Sequence, residues 1–149
     1  VMLEVPSLAE VLDLLMPRIS FLSIGTNDLT QFLFAADRAN PKLAERYDWL
    51  SPAILRFLDR VLKATAGHKV DVGVCGEMGG RRLEALALLG LGVRRLSITP
   101  AAVGPIKELV RKVDTEEIGA AMRGWLSNPP LDMRTALREW ADERGIETD

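Results

Sequence analysis

Ser23-Ile24-Gly25-Thr26-Asn27-Asp28-Leu29-Thr30-Gln31 decides how this chain is read. The apolar residues 21–24 run into Gly25, and an Asn-Asp pair follows. That pattern is a buried strand delivering a carboxylate to the rim of a sheet. In barrels of parallel strands the carboxyl ends carry the chemistry, and the opposite end carries residues that serve stability. Two further strand ends carry reactive groups: Glu4 closes the short apolar stretch 1–4, and Cys75 follows the strand pattern at 70–74.

Outward from this stretch, strand and helix patterns alternate. A break at Pro6-Ser7 predicts a helix from Ser7 through Met16, with Ser7 as cap, Glu10 at the capping-box position and Leu8, Val11, Leu12 and Leu15 on its apolar face. A short helix is expected over 29–34, a polar loop over 37–48 in which Pro41 can open a helical turn, and a helix from Ser51-Pro52 to the stop at Gly67. Strands at 70–74 and 96–98 flank a helix at 81–89 that Gly90 ends. Helices over 101–112, 115–126 and 131–143 complete the chain. Strand–helix alternation predicts a parallel sheet with helices outside it. Four such units are half of an eight-stranded barrel, and a doubly wound sheet is the alternative.

The bulk numbers narrow the classes. The 149 residues suffice for one domain with its own core. A net charge of -2 excludes a basic nucleic-acid surface, which leaves a small molecule or another protein as ligand. The single cysteine cannot form an internal disulfide and suits the reducing cytoplasm. No apolar run reaches membrane-spanning length, and no signal-peptide pattern is present. The chain opens at Val1 inside a strand pattern, so a fragment of a longer protein is expected.

Glu4 and Asp28 lie one βα unit apart, on neighbouring strands ~4.8 Å from each other. Two carboxylates so close repel unless a cation lies between them. Mg²⁺ suits the place: it takes one or two carboxylates and keeps its other positions for water and substrate oxygens. The plainer alternatives are a salt bridge for Glu4 and a helix cap for Asp28. Cys75 stands between Gly73 and Gly76, beside Glu77. A lone cysteine is usually a small buried hydrophobe, but an ordinary thiol keeps its proton at neutral pH and can give it to a carbanion or enolate. Arg38 is a guanidinium clamp for phosphate or carboxylate, or a solvated loop residue. Arg81-Arg82 and Arg94-Arg95 read as solvated faces, His68 as an exposed residue, and Trp49, Trp125 and Trp140 as packing or interface residues.

Met2-Leu3-Glu4-Val5-Pro6, Gly25 to Gln31, Asp37-Arg38, Ser51-Pro52 and Gly73-Val74-Cys75-Gly76-Glu77 stand in the order and spacing of the phosphoenolpyruvate-utilising enzymes. The chain resembles the phosphoenolpyruvate-protein phosphotransferases, enzyme I of the bacterial phosphotransferase system, especially the nitrogen-related form. Pyruvate phosphate dikinase and phosphoenolpyruvate synthase share the domain. The resemblance implies an α/β fold in which residues 1–149 are strands five to eight of a (β/α)8 TIM barrel, with extra C-terminal helices. It implies that Glu4 and Asp28 hold Mg²⁺, that Asn27 and Arg38 bind the substrate phosphate, and that Cys75 protonates enolpyruvate. The phosphoryl group would pass to a histidine in an upstream domain and on to a phosphocarrier protein, and the protein would be a homo-oligomer. Ala39 stands where relatives often carry Gly, and Gly79-Gly80 replaces Ala-Gly. His68 does not match the acceptor motif, so the fragment alone is expected to be inactive. Competing readings are a citrate lyase-type Mg²⁺ aldolase barrel and a non-catalytic association module.

Overall fold

Four short strands, β1 (Met2–Leu3), β2 (Phe21–Gly25), β3 (Asp71–Cys75) and β4 (Leu96–Ser97), form one sheet in the order β1-β2-β3-β4. Every pair is parallel, so all four carboxyl ends lie along one rim. The computed structural model describes residues 1–149, apart from the side chains of residues 44 and 45. Register pairs Leu3 with Ile24, Gly25 with Cys75, and Cys75 with Ser97.

Strand alternation divides the sheet into two unlike faces. Leu3, Leu22, Ile24 and Val74 are buried in the core shared with the helices. Met2, Phe21, Ser23, Asp71 and Cys75 alternate with them on the other face. There Met2 and Phe21 are exposed, and Asp71 pairs with Arg95 at 2.9 Å in solvent.

Among the described residues, helices alternate with the strands and then close the chain: α1 (Leu12–Leu15), α2 (Thr26–Phe34), α3 (Pro52–Thr65), α4 (Arg82–Gly90), α5 (Pro100–Lys112), α6 (Thr115–Ser127) and α7 (Met133–Asp142). Ser51 caps α3 by accepting from the Ile54 amide, with Pro52 at the first position, as the sequence predicts. Asp114 and Asp132 cap α6 and α7 through their carboxylates. Helix α4 is buried along residues 83–89 because α5, α6 and α7 all pack on it, which explains its apolar composition on every side.

Three local expectations are corrected. The helix expected over 7–16 is a 3-10 turn (Pro6–Val11), the single turn of α1, and a second 3-10 turn (Met16–Arg18). Pro6 opens the first turn with Val5 at the cap position, so Ser7 lies inside it and caps nothing. Pro17 has no amide hydrogen with which to extend α1. Helix α2 starts at Thr26, three residues early, with Gly25 at its cap; Asp28 is therefore in the first turn and is not the cap. The arginine pairs are not merely solvated. Arg81 lies over the Trp49 ring, Arg82 joins Glu108 and Glu147, and Arg94 donates to the Leu89 and Val93 carbonyls.

Candidate active site

Two glycines let side chains crowd the carboxyl rim. A Cβ on Gly25 would lie 3.1 Å from the Glu4 Cβ and 3.3 Å from its Oε2, so the Glu4 carboxylate crosses directly over the end of β2. Gly76 has φ +113°, and a Cβ there would lie 2.7 Å from Thr26 Oγ1 and 3.0 Å from Asn27 Oδ1. Only glycine fills that position without strain. The bends at the ends of β2 and β3 thus bring Glu4, Thr26, Asn27 and Cys75 together.

Asn27 is held at both ends. Its Oδ1 accepts from the Glu77 amide at 3.2 Å, and its Nδ2 donates to the Glu77 carboxylate at 3.4 Å. Its backbone carbonyl accepts from the Tyr47 hydroxyl. Burial pushes the Tyr47 phenol above its ordinary value, with the nearby Arg38 working against it, so this donor keeps its proton. Cys75 is half-buried, and its Sγ accepts from Ser23 Oγ at 3.0 Å. Thr26 Oγ1, fully buried, donates to the Cys75 carbonyl at 3.1 Å and ties the two strand ends together.

Asp28 and Arg38 face each other at 4.0 Å, both partly exposed. Among the described residues no three His, Cys, Asp or Glu side chains cluster as a closed metal cage. Glu4 crosses the end of β2 and Asp28 lies in the first turn of the helix that follows β2, so both carboxylates belong to the same strand end. A groove of about 790 Å³ opens at the ends of β3 and β4, lined by Asn27, Gly76, Glu77, Arg81, Ser97 and Thr99. Another, of about 550 Å³, lies at the amino ends of the strands. Of the cations in its wall, Lys63 pairs with Asp59 and Arg95 with Asp71, both also in the wall, and Arg94 donates to carbonyls.

Sequence reasoning missed Tyr47, Ser23 and Thr26, and gave Glu77 no role. Tyr47 fell in the stretch read as a polar loop, although it is the chain's one tyrosine and stands beside Trp49. Ser23 lay inside the quoted strand, where period-2 alternation places it on the same face as Cys75.

A parallel βα sheet with polar side chains gathered at its carboxyl rim defines an α/β domain of the kind that binds ligands at its strand ends. The family described as PEP-utilising enzyme, PEP-binding domain matches residues 1–115. The chain belongs to that family. It is 39% identical over 147 residues to a Salmonella typhimurium protein named "Phosphoenolpyruvate-dependent phosphotransferase system", covering 98% of this chain and 20% of the relative. It is 45% identical over 117 residues to the "Phosphoenolpyruvate-protein phosphotransferase" of Borreliella burgdorferi, covering 78% and 20%. The "Multiphosphoryl transfer protein" of Rhodobacter capsulatus is 44% identical over 111 residues, covering 74% and 13%. The chain thus spans about a fifth or less of the length of these relatives. No helix among the described residues is long and apolar enough to cross a membrane.

Proposed function

We propose that this chain is the phosphoenolpyruvate-binding and proton-donating part of a phosphoenolpyruvate-protein phosphotransferase. One observation carries the reading. Glu4, Gly25 and Cys75 share the bare face of the sheet at its carboxyl end, and the clamped Asn27 adjoins them. The sheet is read as strands five to eight of a (β/α)8 barrel. Strand order runs without reversal and one face is bare, whereas a doubly wound sheet reverses its order and covers both faces.

In this reading Asn27 and Arg38 bind the phosphate, and the Glu77 and Tyr47 contacts keep Asn27 from turning away. The phosphorus–oxygen bond breaks as the phosphoryl group passes to a histidine of another domain. The enolate of pyruvate remains. Cys75 gives its thiol proton to the methylene carbon: the S–H bond breaks, a C–H bond forms, and the thiolate regains a proton from solvent. A Mg²⁺ held by Glu4 and Asp28 would supply positive charge opposite the enolate oxygen. The acceptor histidine belongs elsewhere in the protein, so residues 1–149 alone transfer no phosphoryl group. A phosphocarrier protein is the onward acceptor, and the whole protein works as a homo-oligomer in the cytoplasm.

The test is Cys75→Ala in the full-length protein. Removing the proton donor should slow pyruvate release about 100-fold or more while Mg²⁺ binding persists. Pyruvate release at the unmodified rate would remove the assignment.

A further inference from the structure

The last helix of the chain lies beyond the residues matched by the family, and its Arg134 reaches the segment that contacts Asn27. Arg134, in the first turn of α7, donates from Nη2 to Asp48 Oδ1 at 2.7 Å and pairs with Glu84 Oε1 of α4 at 2.9 Å. Glu84 is buried, its side chain only 4% exposed. Asp48 Oδ1 also accepts from the Leu50 amide at 3.0 Å, and the Asp48 carbonyl accepts from the Ser51 amide at 3.1 Å. One carboxylate therefore fixes both the turn at 48–51 and its distance from α7.

Two paths lead from this turn to Asn27. Tyr47 precedes Asp48 and donates its hydroxyl to the Asn27 carbonyl. Trp49 follows Asp48, is buried, and stands edge-on to Tyr47 with ring centroids 5.6 Å apart. Over Trp49, 5.0 Å away, lies the guanidinium of Arg81. Arg81 in turn pairs at 3.9 Å with Glu77, the residue that holds the Asn27 amide group. Both paths converge on the backbone and side chain of one residue.

We propose that Arg134 is a positioning residue: by anchoring Asp48 it holds the 47–49 segment, and through Tyr47 and Arg81 it sets the orientation of Asn27 toward the substrate phosphate. The inference rests on the proposed role of Asn27 as a phosphate contact. Burial works against the Arg134 cation, but its contacts with the Asp48 and Glu84 carboxylates outweigh it and keep it charged. One nitrogen, Nη2, reaches both carboxylates, and the planar guanidinium holds its donors in fixed directions at the end of a longer side chain than the freely turning ammonium of lysine.

The experiment compares Arg134→Lys, Asp48→Asn and the double variant in the full-length protein with two readouts. Hydrogen exchange of a peptide covering 47–51 reports the tether without reference to substrate. The KM for phosphoenolpyruvate reports Asn27. Each single variant should speed exchange of that peptide about tenfold and raise KM about fivefold with little change in kcat; Asp48→Asn, which leaves the Arg134–Glu84 pair in place, should also leave the peptide covering α4 unchanged. The double variant should be no worse than either single one, because both break the same link. Unchanged exchange at 47–51 would overturn the tether, and additive effects would overturn the link between the two residues. Faster exchange with an unchanged KM would overturn the control of Asn27. If the unmodified protein does not turn over phosphoenolpyruvate, the functional reading fails, while the exchange arm still decides the tether.

Discussion

Gly76→Ala tests the geometry of the rim most directly. Gly76 adopts φ +113° and ψ 176°, a region that is essentially glycine's alone. Forcing alanine into it costs about 2 kcal/mol of backbone strain. The new Cβ would also stand 2.7 Å from Thr26 Oγ1. Thr26 is fully buried and engaged with the Cys75 carbonyl, so its hydroxyl cannot swing aside without losing that bond. Overpacking of this kind adds about 2 kcal/mol. A loss of about 4 kcal/mol in a chain of this length lowers Tm by roughly 10 °C. Gly67→Ala is the internal control. Gly67 also has positive φ, at +85°, but nothing lies within 4 Å of its would-be Cβ. It bears strain alone, about 1 kcal/mol, or roughly 3 °C. Thermal unfolding followed by circular dichroism reads both. Equal shifts for the two variants would refute the argument, because the contact with Thr26 is what separates them.

Asp28→Asn should weaken Mg²⁺ binding at least about tenfold by titration calorimetry, whereas Asp37→Asn, a carboxylate on the neighbouring loop, should leave it unchanged. Asp132 caps α7, and its carboxyl is held below the ordinary carboxylate value by the Thr135 hydroxyl, with the Thr135 and Arg134 amides adding to the effect. A depressed folded value means that the cap's contribution is complete above the usual Asp range near pH 4 and is lost as pH falls through the lower folded value. The stability gap between the native chain and Asp132→Asn, measured by denaturant titration, should therefore close at acid pH and stay constant from pH 5 to 8.

Much of this organisation was legible because each signal was local. Ser51-Pro52 marked the start of α3 within a residue, since a capping hydroxyl and a fixed φ act only on their neighbours. Strand–helix alternation announced the parallel sheet. Gly25 marked the end of β2, although not that the Glu4 side chain crosses it. The start of α2 was misread because Gly25 caps it without a side chain, so no capping residue was there to be seen. Tyr47, Asp48 and Arg134 were invisible for another reason. Their partners lie far off in sequence, on α2, α4 and α7, and no periodicity reports contacts fixed by packing. Of the arginine pairs, Arg81, Arg94 and Arg95 are exposed as expected, and Arg82 departs: charge predicts exposure in the absence of a partner, and Arg82 finds two.

Structural and chemical roles are divided at the rim. Gly25, Gly76 and Thr26 decide how closely the strand ends approach, and their constraints are steric or buried. Asp28, Arg38 and Cys75, by contrast, are only partly buried, and the Asp28–Arg38 pair is an open contact of the kind that contributes little to stability. Asn27 belongs to both groups, since its amide is fixed by Glu77 while its neighbour Asp28 faces solvent. The groups proposed to carry the chemistry can therefore be exchanged with little effect on folding, whereas the groups that aim them cannot. A site with this division loses activity by two routes that leave different marks: altered turnover at unchanged stability, or lost stability with misdirected binding. It follows that substitutions which look silent by charge, such as those at Gly76 or Thr26, disturb this domain more than the removal of its only thiol.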